Sequence, residues 1–208
     1  MVNYNMSIVF YILEVLLHIF GILFAIRICS FKKDAWYFYF LAIITGAFEF
    51  FVVAGLNYIS LLNGIIPSTG NLILALVAII IYNKVKVKPK EITKADLSKV
   101  APLIILIILL MIVFIHLTSP VNQVSTDTII LDIFNILVFV GTVLLAFGYI
   151  AGLIINAIYA IKSITMSIFF ILQIQHLSLV FFINFFFSMI SFIIFLLGYI
   201  KNKKLLKN

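Results

Sequence analysis

Charged residues are scarce in this chain of 208 residues: Asp, Glu, Lys and Arg make up 10% of it, against 65% hydrophobic residues. Soluble globular domains carry about a quarter charged and about half apolar residues, so the composition excludes a soluble globular fold. The single cysteine, Cys29, excludes an intramolecular disulfide. The sequence also lacks GxSxG, HExxH and CxxC motifs and a phosphate-binding glycine loop, so it gives no indication of an enzyme.

Apolar runs fill the sequence instead. A helix needs about 20 predominantly apolar residues to cross a bilayer, and runs of this kind recur along the whole chain. We therefore expect an all-α integral membrane protein, a single polytopic domain over 1–208 that forms a seven-transmembrane-helix bundle. The predicted spans cover 6–28, 36–58, 67–83, 100–118, 129–150, 155–173 and 179–200.

The positions of the basic residues predict the orientation of the bundle. Lys and Arg in short loops mark the cytoplasmic side of a membrane protein. They gather after span 1, in a basic loop over 84–99 and in a basic tail over 201–208, whereas 59–66 and 119–128 contain none. Seven crossings, with the N-terminus outside and the C-terminus cytoplasmic, place every cluster on one side. We expect the plasma membrane of a prokaryote.

The two Lys-rich segments also predict a partner. Each basic residue near the surface of an anionic membrane contributes about 1 kcal/mol of attraction, so the lysines of 84–99 and 201–207 are expected to contact anionic lipid headgroups. Nucleic-acid binding is not expected, because the chain has no folded basic module. A homo-oligomer or a larger membrane complex remains open. Trp36, Tyr37 and Tyr39 at the inner end of span 2 predict an interfacial aromatic belt.

Small and polar residues at helical spacing predict which side of each span faces protein, because the lipid-facing side can be uniformly apolar. Span 4 has no such stripe until His116 and is expected to be peripheral. The segment GYIAG at 148–152 matches the small-xxx-small pattern of helix packing. Span 1 carries the stripe Ser7, Tyr11, Glu14, His18, Gly21 and Ala25, and span 7 carries Asn184, Ser188, Ser191 and Gly198.

Three spans, one peripheral span and three more spans make a plan that resembles the SWEET sugar transporters, which are built from two parallel three-helix repeats. The resemblance is one of plan, since the Pro-Gln dipeptide of that family's relatives is absent. Microbial rhodopsins share the topology, but span 7 has no lysine that could carry retinal. Seven-helix sensor domains are similar in size and orientation. A shared plan does not imply a shared function.

Intramembrane ionisable groups are the candidates for function, since each costs about 2.5–3.5 kcal/mol to insert. Glu14 and Glu49 lie roughly 12 and 14 Å below the outer surface at 1.5 Å of rise per residue, and His18 follows Glu14 by four residues on the same helical face. They predict an outward-opening pocket for a proton, cation or small polar ligand, in a transporter, channel or sensor. The candidate residues are Glu14, His18, Glu49, Asn71, Asp132 and Asn135.

Two alternatives remain open at this point. Glu14 could be a neutral acid that only packs against a neighbouring helix. The chain could also be a non-catalytic membrane subunit of a larger complex, in which His116 and His176, at similar outer depth on different spans, hold haem b for electron transfer or bind a metal. No other cofactor is expected.

Overall fold

The computed structural model describes residues 4–54, 58–96, 98, 101–102, 105–106, 109, 126–173 and 179–207. Helical residues at 98, 101–102, 105–106 and 109 indicate a further helix, which lies in the chain between the helices numbered α3 and α4 and carries no number. The prediction of an all-α bundle with seven helices is confirmed. The six helices that this part of the chain contains in full are Tyr4–Ile28 (α1), Ala35–Ala54 (α2), Tyr58–Lys84 (α3), Thr126–Ala146 (α4), Ala151–Gln173 (α5) and Leu179–Leu205 (α6).

Four of these helices are long and apolar enough to cross a membrane. Their spanning stretches are Ile8–Ile28 in α1, Ala35–Val52 in α2, Ala151–Leu172 in α5 and Leu179–Leu205 in α6. Within the described residues, α3 and α4 contribute shorter apolar stretches, Ser68–Lys84 and Ile133–Ala146. The outward faces are apolar and exposed, as a surface in contact with lipid must be; on α1 the exposed residues include Ile12, Leu16, Ile19 and Ile26.

Contacts between α1 and α6 show that the two helices run in the same direction. His18 near the middle of α1 contacts Asn184 near the start of α6. Cys29, just after α1, packs against Gly198 near the end of α6. The second contact lies further along both helices than the first, so the first and the last helix are parallel. The start of α1 and the end of α6 therefore lie at opposite ends of the bundle.

Helices α3 and α4 are parallel as well. Gly70 packs near Phe139, and further along both helices the Tyr82 hydroxyl donates a hydrogen bond of 2.8 Å to the Leu145 carbonyl. The end of α3 and the start of α4 therefore lie at opposite ends of the bundle. Each of the six helices contacts the next, and α6 contacts α1, which closes a ring. The halves α1–α3 and α4–α6 repeat one pattern of directions, as the predicted plan requires.

The boundary between α2 and α3 differs from the prediction. Helix α2 ends at Ala54, four residues before the predicted end of span 2, and α3 begins at Tyr58. Residues 59–66, which the sequence predicts as a loop, are helical, and Pro67 lies inside α3. A continuous helix bonds the backbone groups of this uncharged segment internally, and membrane helices tolerate an interior proline because their surroundings compensate the lost hydrogen bond.

The turn between α4 and α5 also lies elsewhere than predicted. The sequence predicts it after 150, but the structure has it at 147–150, so that α5 begins at Ala151. Gly148 adopts φ +85°, a conformation that L side chains rarely adopt, and a Cβ there would lie 2.8 Å from the Lys88 carbonyl oxygen. Of the two glycines in GYIAG, Gly148 therefore makes the turn, and Gly152 belongs to the helix that follows.

The basic loop after α3 is held against this turn. The Lys90 amide donates to the Gly148 carbonyl at 2.9 Å, and the Ile150 amide donates to the Lys90 carbonyl at 3.1 Å. Beyond it, Thr93 and Asp96 form a capping box: the Thr93 hydroxyl and amide donate to the Asp96 carboxylate, and the Asp96 amide donates to the Thr93 hydroxyl. These bonds hold the pKa of Asp96 below its usual value.

Asn202 ties the end of α6 to the end of α1, and its loss should destabilise the bundle. The buried amide donates hydrogen bonds of 2.8 Å to the carbonyls of Cys29 and Gly198. The change Asn202→Ala leaves the Cys29 carbonyl without this donor, which we expect to cost about 1–3 kcal/mol of unfolding free energy. A thermal-unfolding scan of the purified protein in detergent would show a lower midpoint. Lys203→Ala, at an exposed neighbouring position, is the control; equal midpoints would contradict the prediction.

Candidate functional site

Glu14 sits on the protein-facing side of α1, and its residue is only 4% exposed. Residues on the opposite face of the helix, such as Ile12 and Leu16, are exposed. A carboxyl group in such a position requires hydrogen-bond partners, because a buried polar group that lacks them is costly. The structure supplies these partners from three helices.

His18 is the first partner. Its Nε2 lies 3.2 Å from Oε1 of Glu14 and 2.8 Å from Oδ1 of Asn184 on α6. Which of these groups donates depends on the tautomer of the imidazole and on the protonation of Glu14. The imidazole stacks on the Phe187 ring, with centroids 5.0 Å apart and planes 10° apart. Asn184 also lies close to the Glu14 carboxyl.

Glu49 on α2 is the second carboxyl of the cluster. Its side chain lies close enough to Glu14 for the two carboxyl groups to interact. Two carboxyl groups share a hydrogen bond only when one of them is protonated and donates its O–H. The pair can therefore hold a proton between the two acids, or accept a cation or a donor-bearing solute in its place. Glu14, His18, Glu49 and Asn184 are called the carboxyl cluster below.

The sequence predicted Glu14, His18 and Glu49 as neighbours, and the structure brings these three together. Asn184 was recognised only as part of the stripe on span 7. As the polar residue in the apolar run LVFFINFFF, it was the signal that α6 completes the cluster. A polar side chain in such a run requires a partner inside the bundle, but sequence alone does not say which one.

The structure describes the side chains of two other predicted residues, Asn71 and Asn135. Asn71 on α3 accepts a 2.9 Å hydrogen bond from the Tyr39 hydroxyl, and Thr142 on α4 lies close to that hydroxyl. Asn135 on α4 is exposed, so its side chain does not join the carboxyl cluster. Asp132 belongs to α4, but its side chain lies outside the described residues, as do His116 and His176.

An aromatic cluster closes the bundle at the end where the basic loops lie. Trp36 is fully buried, with its ring centroid 5.6 Å from that of Phe24 and 5.7 Å from those of Tyr39 and Tyr82. The predicted interfacial belt is thus wrong for Trp36, which packs in the core, while Tyr37 is exposed. Within the described residues, Nε1 of Trp36 is buried and has no hydrogen-bond partner. The Tyr82 hydroxyl, which donates to the Leu145 carbonyl, lies close to this indole.

The described part of the chain contains no group of three or more His, Cys, Asp or Glu residues that could hold a metal ion. The histidines proposed for haem or metal, His116 and His176, lie outside that part. Haem ligation by this pair therefore stays a prediction.

Comparison with known proteins identifies the fold. No family model matches the sequence, and no curated protein matches it significantly. Among solved structures, the chain is similar to one described as the crystal structure of the vitamin B3 transporter PnuC, with a TM-score of 0.67 and 17% sequence identity. The match covers 98% of this chain and 87% of that one. At this identity the likeness establishes the fold alone, that of a helical membrane protein.

Proposed function

We propose that this protein is a membrane transporter for a small polar solute and that the carboxyl cluster is a binding site on the transport path. The observation that carries the proposal is the convergence of two carboxyls, an imidazole and an amide from α1, α2 and α6 inside an apolar bundle. Intramembrane ionisable groups that pair in this way are typical of substrate, ion and proton pathways. The likeness to a transporter fold supports the same proposal.

Vitamin B3 compounds are the first solutes to test, because the similar structure is described as a transporter for that vitamin. Their pyridine ring and carbonyl-type substituent are flat and accept hydrogen bonds. The aromatic cluster offers matching chemistry, since Trp36 presents a buried indole N–H without a partner in the described residues. A solute that carries a hydrogen-bond acceptor would satisfy this donor when the aromatic cluster opens.

The orientation follows from the basic residues. We place α1 with its start outside and α6 with its end in the cytoplasm, in the plasma membrane of a prokaryote, since the basic loops then lie on the cytoplasmic side. The carboxyl cluster falls in the outer half of the bundle and the aromatic cluster in the inner half, so a pocket at the carboxyl cluster would open outward. Anionic lipid headgroups would surround the basic segments, and the protein could assemble as a homo-oligomer.

Counterflow into proteoliposomes tests the proposal. Purified protein should exchange a labelled vitamin B3 compound, or another small polar solute of a panel, saturably and faster than protein-free liposomes. Asn184→Leu should lower this exchange about tenfold, because it removes the hydrogen bond between His18 and Asn184 while keeping the side-chain size. Asn135→Leu, at an exposed position of α4, is the matched control and should exchange like the wild type.

The outcomes separate the possible functions. Exchange at the level of protein-free liposomes across the panel would overturn the transport proposal. Saturable binding without exchange would instead indicate a membrane sensor that uses the same site.

A further inference from the structure

A basic groove lies at the end of the bundle where α1 passes into α2 and α3 passes into the basic loop. Its main cavity has a volume of about 640 Å³ and runs between 27–34 and 86–89, and a smaller adjoining cavity of about 320 Å³ continues along 82–87. These volumes are in the range of small-molecule binding sites. The lysines that line the two cavities are Lys32, Lys33, Lys84, Lys86 and Lys88.

The charge in this groove is one-sided. Asp34 is the one carboxylate among the lining residues, and it already forms an ion pair with Arg27. Among the described residues, none of the five lining lysines has a carboxylate partner. Five ammonium groups around one concave surface create a positive electrostatic potential that attracts a multivalent anion. The proposed transport function uses none of these residues.

Both walls of the groove are fixed. On one side, Phe31 is buried at φ +46° and anchors the turn between α1 and α2, where Asn202 also holds the Cys29 carbonyl. On the other side, the hydrogen bonds between Lys90 and the turn at 147–150 hold the basic loop. Because the walls are already fixed, the protein loses less conformational entropy when a ligand binds.

The alternation in KVKVK explains why the lysines reach the groove. Helix α3 ends at Lys84, and in the extended segment that follows successive side chains point to opposite sides, so Lys86 and Lys88 share one side. Val87, between two of them, packs against the buried core and sets the orientation of the segment. The segment thus presents the ammonium groups of Lys86 and Lys88 on one side, and Lys84 at the end of α3 lines the smaller cavity.

We propose that this groove is a binding site for a phosphate-bearing anion with two or more negative charges. Lysine ammonium groups bind phosphate as point charges. Several of them together favour an anion that carries two or more charges over an anion with a single carboxylate. The phosphate can belong to a soluble compound or to a lipid headgroup, since the groove lies at an end of the bundle that reaches the membrane surface.

The experiment compares two triple variants with the same change in charge. Lys33→Gln/Lys86→Gln/Lys88→Gln alters the groove, and Lys203→Gln/Lys204→Gln/Lys207→Gln alters exposed lysines near the end of the chain that do not line it. Inorganic pyrophosphate is titrated calorimetrically into each protein in phosphatidylcholine nanodiscs at about 0.15 M salt, where long-range attraction is screened. Native mass spectrometry then measures retention of phosphatidylglycerol against phosphatidylcholine.

We expect the groove variant to lose at least about tenfold in affinity for one of the two probes, while the tail variant loses less than about threefold. A loss confined to pyrophosphate identifies a soluble phosphate compound, and a loss confined to phosphatidylglycerol identifies a lipid headgroup. Equal losses of affinity in both variants would show that general surface charge causes the binding, and would overturn the proposal. Absence of saturable binding of either probe to the wild type would overturn it too.

Discussion

Replacing either carboxyl of the carboxyl cluster, by Glu14→Gln or Glu49→Gln, is expected to lower solute exchange at least about tenfold and to flatten its dependence on pH. Glutamine keeps the size and the hydrogen-bonding capacity of glutamate but cannot take up or release a proton. A hydrogen bond to a charged group contributes about 1.5–3 kcal/mol, and about 1.4 kcal/mol corresponds to a factor of ten. The two variants should fold, because the substitution is nearly isosteric.

Glu14 should matter more than Glu49. It contacts His18, Glu49 and Asn184, whereas the described contact of Glu49 within the cluster is Glu14. In the described residues the titratable groups of the cluster are Glu14 and His18 on α1 and Glu49 on α2, while α6 contributes the neutral Asn184 and Phe187. A remaining pH dependence in the Glu14→Gln/Glu49→Gln double variant would therefore be assigned to His18.

The measurement is the rate of exchange in proteoliposomes at a series of pH values, with the same pH on both sides of the membrane. Glu91→Gln is the matched control, since it makes the same chemical change at an exposed position of the basic loop. Wild-type exchange with an unchanged pH profile in both cluster variants would exclude the carboxyl cluster from the transport path. The alternative of a neutral acid that only packs would then be the better account of Glu14.

The sequence predicted the class of fold because in a bilayer the helix is one of the few structures that satisfy every backbone group, and long apolar runs report it directly. It predicted the meeting of Glu14 and Glu49 because depth along a span follows from a fixed rise per residue. Asn184 could not be assigned in the same way. Its contact with His18 joins the first and the last helix, and sequence spacing carries no information on which helices close the ring.

The boundaries were the weaker part of the prediction, for local reasons. Pro67 predicted a helix start because proline suits the first turn, yet α3 begins nine residues earlier and contains this proline. The burial of Trp36 was missed because a tryptophan near a span end is usually interfacial. Here α2 begins at Ala35, directly after the short turn from α1, so its first residues already pack in the core.

The crossing of α4 and α5 brings two backbones into direct contact at Gly152. A Cβ at this position would overlap the Gly141 carbonyl oxygen and lie 2.7 Å from Cγ and 3.0 Å from the amide nitrogen of Leu145. Backbone atoms of a packed helix cannot move aside as a side chain can. Gly152→Ala should therefore separate α4 from α5 and destabilise the bundle by about 3 kcal/mol, the upper part of the range for overpacked cores.

The same substitution at two further glycines should cost less stability. A Cβ at Gly141 would lie 2.8 Å from Cγ2 and 3.1 Å from Cβ of Ile155 and 3.0 Å from Nδ2 of Asn156; because none of these is a backbone atom, Gly141→Ala should destabilise less than Gly152→Ala. Gly21 on α1 has no atom within 4 Å of such a Cβ, and Gly21→Ala should be neutral or slightly stabilising because alanine favours the helix by about 1 kcal/mol. Thermal unfolding in detergent should order the midpoints as Gly21→Ala, Gly141→Ala, Gly152→Ala, from highest to lowest. Equal midpoints for the Gly21 and Gly152 variants would show that the two backbones are not in contact in the folded protein.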